Sequence, residues 1–242
     1  MKKFLTLFLA VLMGLSVVSV TSFATEVETI TKAGDTASFG SYYGKPIEWQ
    51  ALAVDATAQK ALLVPKEMVG YRSFNDIGEG VTWENSSIRK WLNNEFYNTA
   101  FSEQQKAFIL ESDLENKANS EYNVGGGATT KDKVFLLSID EAAKYFSGDD
   151  SRVVKVNFTE QQIAGIAQDL ANRSNAKYTV TSADAISELT SYNGTTDWWW
   201  LRTSGRELTR VPAISHSGSV YTVGNEIGEP YGGAPCNLGG YF

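Results

Sequence analysis

A strongly aromatic sequence, Trp-Trp-Trp-Leu-Arg-Thr, occupies residues 198–203 and contains three of the six tryptophans of the 242-residue chain. Turn-forming pairs flank it, Asn193-Gly194 on the N-terminal side and Ser204-Gly205 on the C-terminal side. An apolar run of this length between two turns is typical of a strand in the middle of a sheet. We therefore predict that the chain folds around this strand, with scaffold elements before it and exposed loops after it.

Side chains alternate between the two faces of a strand, and this divides the aromatic sequence into two sets. We expect Trp198, Trp200 and Arg202 on one face. Trp199 and Leu201 are expected on the opposite face, in the core.

The composition predicts a packed, acidic globular protein. Aromatic residues make up 12% of the chain and there are only 5 prolines, which is typical of an ordered core. The formal net charge is −7, and no basic cluster follows Lys2-Lys3, so a nucleic-acid partner is not expected. Because no internal repeat or linker is visible, we expect a single domain over residues 25–242.

Residues 1–24 have the pattern of a secretory signal peptide. Lys2-Lys3 precedes an apolar stretch over residues 4–20, and Ser22-Phe23-Ala24 is a small-x-small cleavage site. The alternative, an uncleaved membrane anchor, fits this cleavage signature less well. Since no other apolar run could span a bilayer, we expect a secreted protein, either extracellular or associated with the cell envelope.

Cys236 is the only cysteine, so a disulfide within the chain is excluded. A cysteine nucleophile needs a partner that lowers its pKa, and the chain has a single histidine. We therefore expect Cys236 to be a small packing residue near the C-terminus.

Alternating apolar residues and turn signals predict several short strands. The first two form a hairpin in which Ile47, Trp49, Ala51 and Ala53 share one side. The predicted strands cover residues 46–54, 60–65, 134–137, 210–215 and 220–223, with a final short strand within 232–242.

Capping boxes predict where three helices begin. A Ser or Thr followed three residues later by Glu or Gln occurs at Ser102, Ser138 and Thr159. In the helix that begins at Ser102, Phe108 and Ile109 are expected to face inward.

Two further helices are predicted, one capped by Asn85 or Ser86 and one over residues 183–189. The first should end near Asn93-Asn94. Its inward-facing residues are Ile88, Trp91 and Leu92.

Five segments in a fixed order resemble those of an uncharacterised family of exported bacterial proteins, the domain of unknown function 6273. The segments are Phe39-Gly40-x-Tyr42 with Pro46-Ile47-Glu48-Trp49; Trp83-Glu84-Asn85-Ser86 with Ile88-Arg89-Lys90-Trp91-Leu92-Asn93; Phe101-Ser102-Glu103; Asp132-Lys133-Val134-Phe135-Leu136-Leu137-Ser138 with Glu141-Ala142; and Trp199-Trp200-Leu201-Arg202-Thr203.

This resemblance implies an α+β fold similar to the C-type-lectin-like domain, in the variant found in formylglycine-generating enzymes. In such a fold a small, twisted, mostly antiparallel sheet has flanking helices, and ligands meet the C-terminal half. The chain departs from the family in two ways. Ala234 stands where the family usually has Arg, and residues 147–196 are longer and more helical, so a helical insertion is predicted there.

The enzymes of this fold lack their required residues here. Formylglycine-generating enzymes need two active-site cysteines, and the iron-dependent sulfoxide synthases need a histidine-rich site, whereas Cys236 and His216 are each the only residue of their kind. A Ser-His-Asp triad would also depend on His216, which lies in a predicted turn. A carboxylate pair of the glycosidase type remains open, because acids are plentiful.

Calcium-dependent sugar binding is also not expected. Lectins pair Glu-Pro-Asn with Trp-Asn-Asp, but the chain has Glu229-Pro230-Tyr231 and Thr196-Asp197-Trp198. The asparagine oxygens are missing, so the sequence predicts neither a metal nor another cofactor.

Aromatic residues and arginines of the C-terminal half are the candidates for a ligand-binding surface, because binding surfaces favour both. In an alternative interpretation, Arg202 is a buried, hydrogen-bonded support for the loops, and the tryptophans are core residues. The candidate binding residues are Trp198, Trp200, Arg202, Arg206, Arg210, His216 and Tyr231.

We therefore expect an exported, non-catalytic module that binds an extracellular glycan or a protein or peptide ligand. One alternative is an exported hydrolase that acts on envelope polymers through a carboxylate pair. Another is a structural envelope domain without a ligand.

Overall fold

Short strands and helices alternate along the chain in this computed structural model, which describes residues 30–173, 179–235 and 237–241. The predicted signal peptide and Cys236 lie outside these residues. The strands are β1 (Thr36–Tyr42), β2 (Lys45–Asp55), β3 (Lys60–Pro65), β4 (Ile109–Leu110), β5 (Ser112–Leu114), β6 (Thr130–Asp132), β7 (Val134–Phe135), β8 (Val154–Lys155), β9 (Thr196–Asp197), β10 (Trp199–Trp200), β11 (Arg210–Ile214), β12 (Val220–Glu226) and β13 (Asn237–Tyr241). The helices are α1 (Ser87–Trp91), α2 (Tyr97–Ala100), α3 (Glu103–Lys106), α4 (Ile139–Tyr145), α5 (Asp149–Arg152), α6 (Glu160–Asn172) and α7 (Ser182–Tyr192).

The strands form small antiparallel sheets. A six-stranded sheet has the order β1-β2-β3-β13-β4, with β7 also paired to β13, and a three-stranded sheet has the order β10-β11-β12. Strands β5 and β6 form one two-stranded sheet, and β8 and β9 form another. Together with the helices, these sheets confirm the predicted α+β class.

The predicted hairpin is confirmed as β2 and β3, but its alternation breaks in the middle. Ile47, Trp49 and Ala51 are buried, and then the register with β3 shifts between Ala51 and Ala53. After this bulge Val54 packs against the core. The prediction that Ala53 continues the buried face was wrong, because an extra residue moves the following side chains to the opposite face.

The capping boxes at Ser102, Ser138 and Thr159 are confirmed at the starts of α3, α4 and α6. In each box the hydroxyl accepts a backbone N–H while the Gln or Glu accepts the cap's own N–H. Ser86 caps α1 through the N–H of Arg89, as predicted.

Two helix predictions were wrong. The chain does not leave the helix at Asn93 but continues through a π-helical turn, Leu92–Phe96, into α2. Burial of Phe96 and Tyr97 explains this, since packing outweighs the weak helix preference of Asn. Phe108 is 46% exposed rather than inward-facing, whereas Ile109 is buried in β4.

Residues 147–196, the predicted insertion, carry α5 to α7. Helix α6 buries Ile163, Ile166, Ala167 and Leu170 and packs on α7. Strands β8 and β9 pair antiparallel and bring the two ends of the segment together. That the segment is an insertion stays a prediction.

The aromatic sequence separates two apolar clusters, as its alternation predicts. Trp200 belongs to the cluster beneath the six-stranded sheet, with half-buried Trp198 packed against that same cluster. Trp199 and Leu201 belong to the cluster around α6 and α7. The strand itself covers only two residues, although it has neighbours on both sides, β11 and Gly233.

We expected exposed loops after the aromatic sequence, and this prediction was wrong in part. Strand β11 is buried at Val211, Ala213 and Ile214. Ala234, at the position where the family has Arg, is also fully buried and belongs to the core. Within the described ranges, none of the helices has both the length and the apolar composition needed to cross a membrane.

Candidate functional site

A polar cleft of about 460 Å³ lies between the segment that follows β5, the start of α4 and the chain just after β10. It is more than twice the volume of a cavity of about 200 Å³ beside Lys45 or one of about 190 Å³ beside Ile30. Its lining residues are Asp113, Glu115, Asn116, Lys117, Ala118, Asn119, Ser120, Gly126, Ser138, Ile139, Asp140, Glu141, Lys144, Arg202 and Thr203.

Arg202 lies at the bottom of the cleft with only 3% of its side chain exposed. Its Nε donates to Asn116 Oδ1 at 3.2 Å. Its Nη1 donates to the Leu136 carbonyl at 2.9 Å and also to Glu141 Oε2, and its Nη2 donates to Glu141 Oε1 at 2.9 Å. A longer contact of 3.5 Å joins Nη2 to the Glu115 carbonyl. Each of the five guanidinium N–H groups thus faces an acceptor within the protein.

Glu141 is held in place by the helix that it starts. As the third residue of α4, it accepts the Ser138 backbone N–H at 2.9 Å, which turns its carboxylate toward Arg202. Burial alone would raise the pKa of Glu141, but the hydrogen bonds and charge of Arg202 outweigh it and hold the pKa below its usual range. The carboxylate therefore stays ionised around neutral pH.

The wall opposite α4 is built by two asparagines with satisfied side chains. Asn116 Nδ2 donates to the Ala128 carbonyl at 2.6 Å, and buried Asn119 Nδ2 donates to the Ser204 carbonyl at 2.9 Å. Gly126 completes this wall, because a Cβ there would lie 2.3 Å from the Asn116 carbonyl oxygen. Only glycine permits so close an approach of two backbone segments.

Charged side chains surround the opening of the cleft. Asp140 is exposed, and among the described residues no ion pair or hydrogen bond involves its carboxylate. The Lys144 Nζ lies 4.8 Å from the centre of the Tyr145 ring, and the Lys117 Nζ lies 3.8 Å from Glu115 Oε2. In the part of the chain that the structure describes, no group of three or more His, Cys, Asp or Glu residues could hold a metal ion.

The residues proposed from the sequence do not form one site. Arg202 lines the cleft. Trp200 is fully buried and donates its indole N–H to the Arg72 carbonyl at 2.9 Å, so it offers no ligand contact and leaves the proposed binding surface. Trp198 is half-buried, with its ring centre 4.7 Å from that of Trp200.

Three more of these residues lie on loops and strands after β10. Arg206 is exposed, and Arg210 donates to the Gly224 carbonyl at 3.1 Å and pairs with Glu207 at 3.4 Å. His216 is exposed in the turn between β11 and β12. None of the three lines the cleft.

Tyr231 joins a separate cluster of tyrosines and carboxylates. Its ring lies edge-on to Tyr192 at 6.2 Å, and Tyr192 lies 5.7 Å from Tyr71. The Tyr71 hydroxyl donates to Asp197 at 2.7 Å, and the Tyr192 hydroxyl donates to Glu188. Burial raises the pKa of Asp197, although the hydrogen bonds from Tyr71 and from a backbone N–H oppose this shift.

Arg72 is a second buried arginine, and it contrasts with Arg202. It is also 3% exposed, but its ion pairs within the described ranges are long, 3.4 Å to Asp76 and 3.4 Å to Asp169. Its Nε has no hydrogen-bond partner among the described residues, and the guanidinium lies 5.2 Å from the Trp91 ring centre. Burial lowers the pKa of Arg72 despite these acids.

Sequence reasoning missed the acidic side of the cleft. Glu141 was recognised as part of a capping box and of one family segment but not as a site residue, and Asp140 carried no signal of its own. Nothing local connects Glu141 with Arg202, which lies 61 residues further along the chain.

Comparison with known families supplies one match. The family described as "Domain of unknown function (DUF6273)" matches residues 58–232, which include the cleft and the aromatic sequence. No curated protein and no solved structure matches the chain.

Proposed function

This chain belongs to the DUF6273 family, which carries no assigned activity, so we infer its role from its own geometry. We propose that it is an exported, non-catalytic module that binds a glycan in the Arg202 cleft. This proposal rests on one observation: the Arg202–Glu141 ion pair, whose arginine is fully hydrogen-bonded within the protein, forms a fixed polar floor for that cleft. Secretion through residues 1–24 and a C-type-lectin-like fold are parts of the same proposal.

The size and lining of the cleft support a small polar ligand. Ligand sites usually enclose about 300–1,000 Å³, and the cleft of about 460 Å³ falls in this range. Its lining is mostly charged or hydrogen-bonding, with Ala118 and Ile139 as its apolar side chains. A ligand that gains its affinity from many hydroxyl groups fits such a lining better than one that needs an apolar side-chain pocket, and this favours a glycan over a peptide.

The state of Glu141 argues against a general acid in this cleft. A general acid must hold a proton near the working pH, and the lowered pKa of Glu141 leaves it ionised. Its Oε2 already accepts N–H groups from Ser138 and Arg202. A carboxylate in this state orients a ligand but does not donate a proton.

A glycan-array and peptidoglycan-fragment screen of the chain from Thr25, run with and without a calcium chelator, tests the proposal. We expect hits among oligosaccharides that survive chelation. Hits confined to peptides would replace the glycan with a peptide ligand. Loss of binding on chelation would contradict a metal-free site, and silence across the screen would favour a structural domain.

A second candidate function rests on Asp197 and Glu188. A hydrolase of the glycosidase type needs one protonated and one ionised carboxyl group, and burial raises the pKa of Asp197, while Glu188 lies close enough to act on it. Turnover of a cell-wall polymer by the wild-type chain, abolished in Asp197→Asn and in Glu188→Gln, would establish this activity. Unchanged polymer after prolonged incubation would exclude it.

A further inference from the structure

We propose that the Arg202 cleft selects glycans without carboxylate, phosphate or sulfate groups and prefers those that carry a free, protonated amine. This inference rests on the proposed glycan-binding function and adds the chemical class of the ligand. The inference depends on which charged groups of the cleft already have partners within the protein and which can still accept or donate a hydrogen bond.

Arg202 is the residue that would ordinarily attract an anionic ligand, but its hydrogen bonds are used within the protein. Asn116, Leu136 and Glu141 accept from its Nε, Nη1 and Nη2, and the guanidinium is 3% exposed. An anion could reach it only by displacing Glu141. That exchange would leave a second carboxylate close to the incoming anion, which costs free energy in a site of low dielectric.

Each lysine of the cleft has a contact within the protein, and the contact of Lys117 is with an acid. The Lys144 ammonium lies over the Tyr145 ring and 3.4 Å from its hydroxyl. The Lys117 ammonium lies 3.8 Å from Glu115. Both side chains are exposed, so water screens their attraction for a distant anion.

The carboxylates of the cleft, in contrast, can still accept hydrogen bonds from a ligand. Glu141 Oε1 accepts the Arg202 Nη2 hydrogen bond at 2.9 Å, and a carboxylate oxygen can accept a second donor. The neighbouring Asp140 carboxylate is exposed and has no partner among the described residues. Adjacent carboxylates with unused lone pairs accept hydroxyl or ammonium donors, and charge-assisted hydrogen bonds of this kind are the stronger ones.

The balance of charge points the same way. Four acids line the cleft, Asp113, Glu115, Asp140 and Glu141, against three cations, Lys117, Lys144 and Arg202, and of these acids Asp113 is paired at 2.9 Å with Lys131 outside the lining. The formal net charge of the whole chain, −7, adds a weaker long-range repulsion for anions.

Calorimetric titration with three tetrasaccharides of different charge tests this selectivity: chitosan tetramer with free amines, its fully N-acetylated counterpart chitotetraose, and tetragalacturonate with carboxylates. At a pH at which the amines are protonated, we expect affinity to fall in that order. Raising the salt concentration should weaken chitosan binding and leave chitotetraose binding unchanged.

Asp140→Asn and Asp150→Asn are a matched pair of variants for this test. Each replaces an exposed acid at the second position of a short helix, but only Asp140 lines the cleft. Asp140→Asn should weaken chitosan binding by about threefold to fivefold, the size expected for one exposed charge pair. Asp150→Asn should leave it unchanged.

The outcomes separate the two proposals. Tightest binding of tetragalacturonate, or equal effects of the two variants, would overturn the selectivity while leaving a glycan-binding cleft in place. Failure of all three sugars to bind, by a chain whose folding is verified by circular dichroism, would contradict the proposed function and with it this inference.

Discussion

Arg202 and Glu141 form a two-pronged ion pair beneath the cleft, in which Nη2 donates to Oε1 at 2.9 Å and Nη1 donates to Oε2. The arginine is 3% exposed and the glutamate 26% exposed, so the pair lies at the boundary between core and cleft. It joins the start of α4 to the end of the aromatic sequence. The same contact therefore stabilises the fold and shapes the site.

Removing one partner of this pair should destabilise the protein. Glu141→Gln leaves the Arg202 charge buried without a counter-charge, and we expect the free energy of unfolding to fall by about 2–4 kcal/mol. Urea denaturation followed by tryptophan fluorescence measures this change. Glu115→Gln is the control, since that carboxylate is 73% exposed, and it should change stability by less than about 0.5 kcal/mol. Equal effects of the two variants would argue against a structural role for the ion pair.

The same pair predicts how stability changes in acid. The pKa of Glu141 in the folded chain lies below its ordinary value of 4.5, so its contribution to stability is present above pH 4.5. It is lost as the pH falls through the folded pKa. Unfolding free energies measured across this range should drop more steeply for the wild type than for Glu141→Gln. Parallel curves would contradict the lowered pKa.

Asp197 predicts a pH dependence of the opposite sign. Its folded pKa is raised above its ordinary value of 3.8 by burial, so the folded state binds the proton more tightly than the unfolded state. This contribution to stability is present below pH 3.8 and is lost as the pH rises through the folded pKa. In Asp197→Asn that loss should be absent. Nuclear magnetic resonance titration of the Asp197 carboxyl carbon gives its pKa directly, and a value at or below 3.8 would refute the prediction.

Gly126 and Gly125 offer an adjacent pair of substitutions with different expected effects. A Cβ on Gly126 would lie 2.3 Å from the Asn116 carbonyl oxygen and 2.4 Å from that of Lys117, whereas a Cβ on Gly125 would meet no atom within 4 Å. Gly126→Ala should therefore shift the cleft wall, lowering both the melting temperature and the affinity for the ligand. Gly125→Ala should preserve both. Thermal unfolding and ligand titration of each variant separate the effects. Equal melting temperatures and affinities of Gly126→Ala and Gly125→Ala would show that the backbone around Asn116 moves to accept the methyl group without cost.

The indole of Trp200 should contribute to stability through one buried hydrogen bond. Trp200→Phe leaves the Arg72 carbonyl without its donor, and the loss should be about 1–3 kcal/mol together with the effect of the smaller ring. Trp198→Phe changes a half-buried side chain of the same type and should cost less. Chemical denaturation of both variants checks the order, which would be reversed if Trp198 were the main packing residue.

Local signals explain what the sequence predicted correctly. The three capping boxes and the β2–β3 hairpin depend on residues a few positions apart, and the structure has them as predicted. The alternation of the aromatic sequence is also local, and it correctly assigned Trp199 and Leu201 to one cluster and Trp200 to the other.

The errors arose where tertiary packing decides. The bulge after Ala51 has no local signal, and the helix continues past Asn93 because Phe96 and Tyr97 are buried by distant residues. Phe108 is exposed because α3 ends before it.

The cleft could be predicted only in part, because its floor depends on a contact across 61 residues. From the sequence, Arg202 could be either a ligand contact or a buried support, and its saturated hydrogen bonds indicate the support. The aromatic residues expected around it lie elsewhere, and the open groups of the site are the acids Asp140 and Glu141.

Blocking the cleft tests the central claim most directly. Ser120 is exposed and lines the cleft, so Ser120→Trp places a large ring in the opening without touching the ion pair. Thr57→Trp adds the same ring to an exposed turn away from the cleft. The measurement is the calorimetric affinity of both variants for the tightest glycan found by the array. We predict loss of binding in Ser120→Trp and wild-type affinity in Thr57→Trp, whereas wild-type affinity in both would show that the glycan does not bind in the Arg202 cleft.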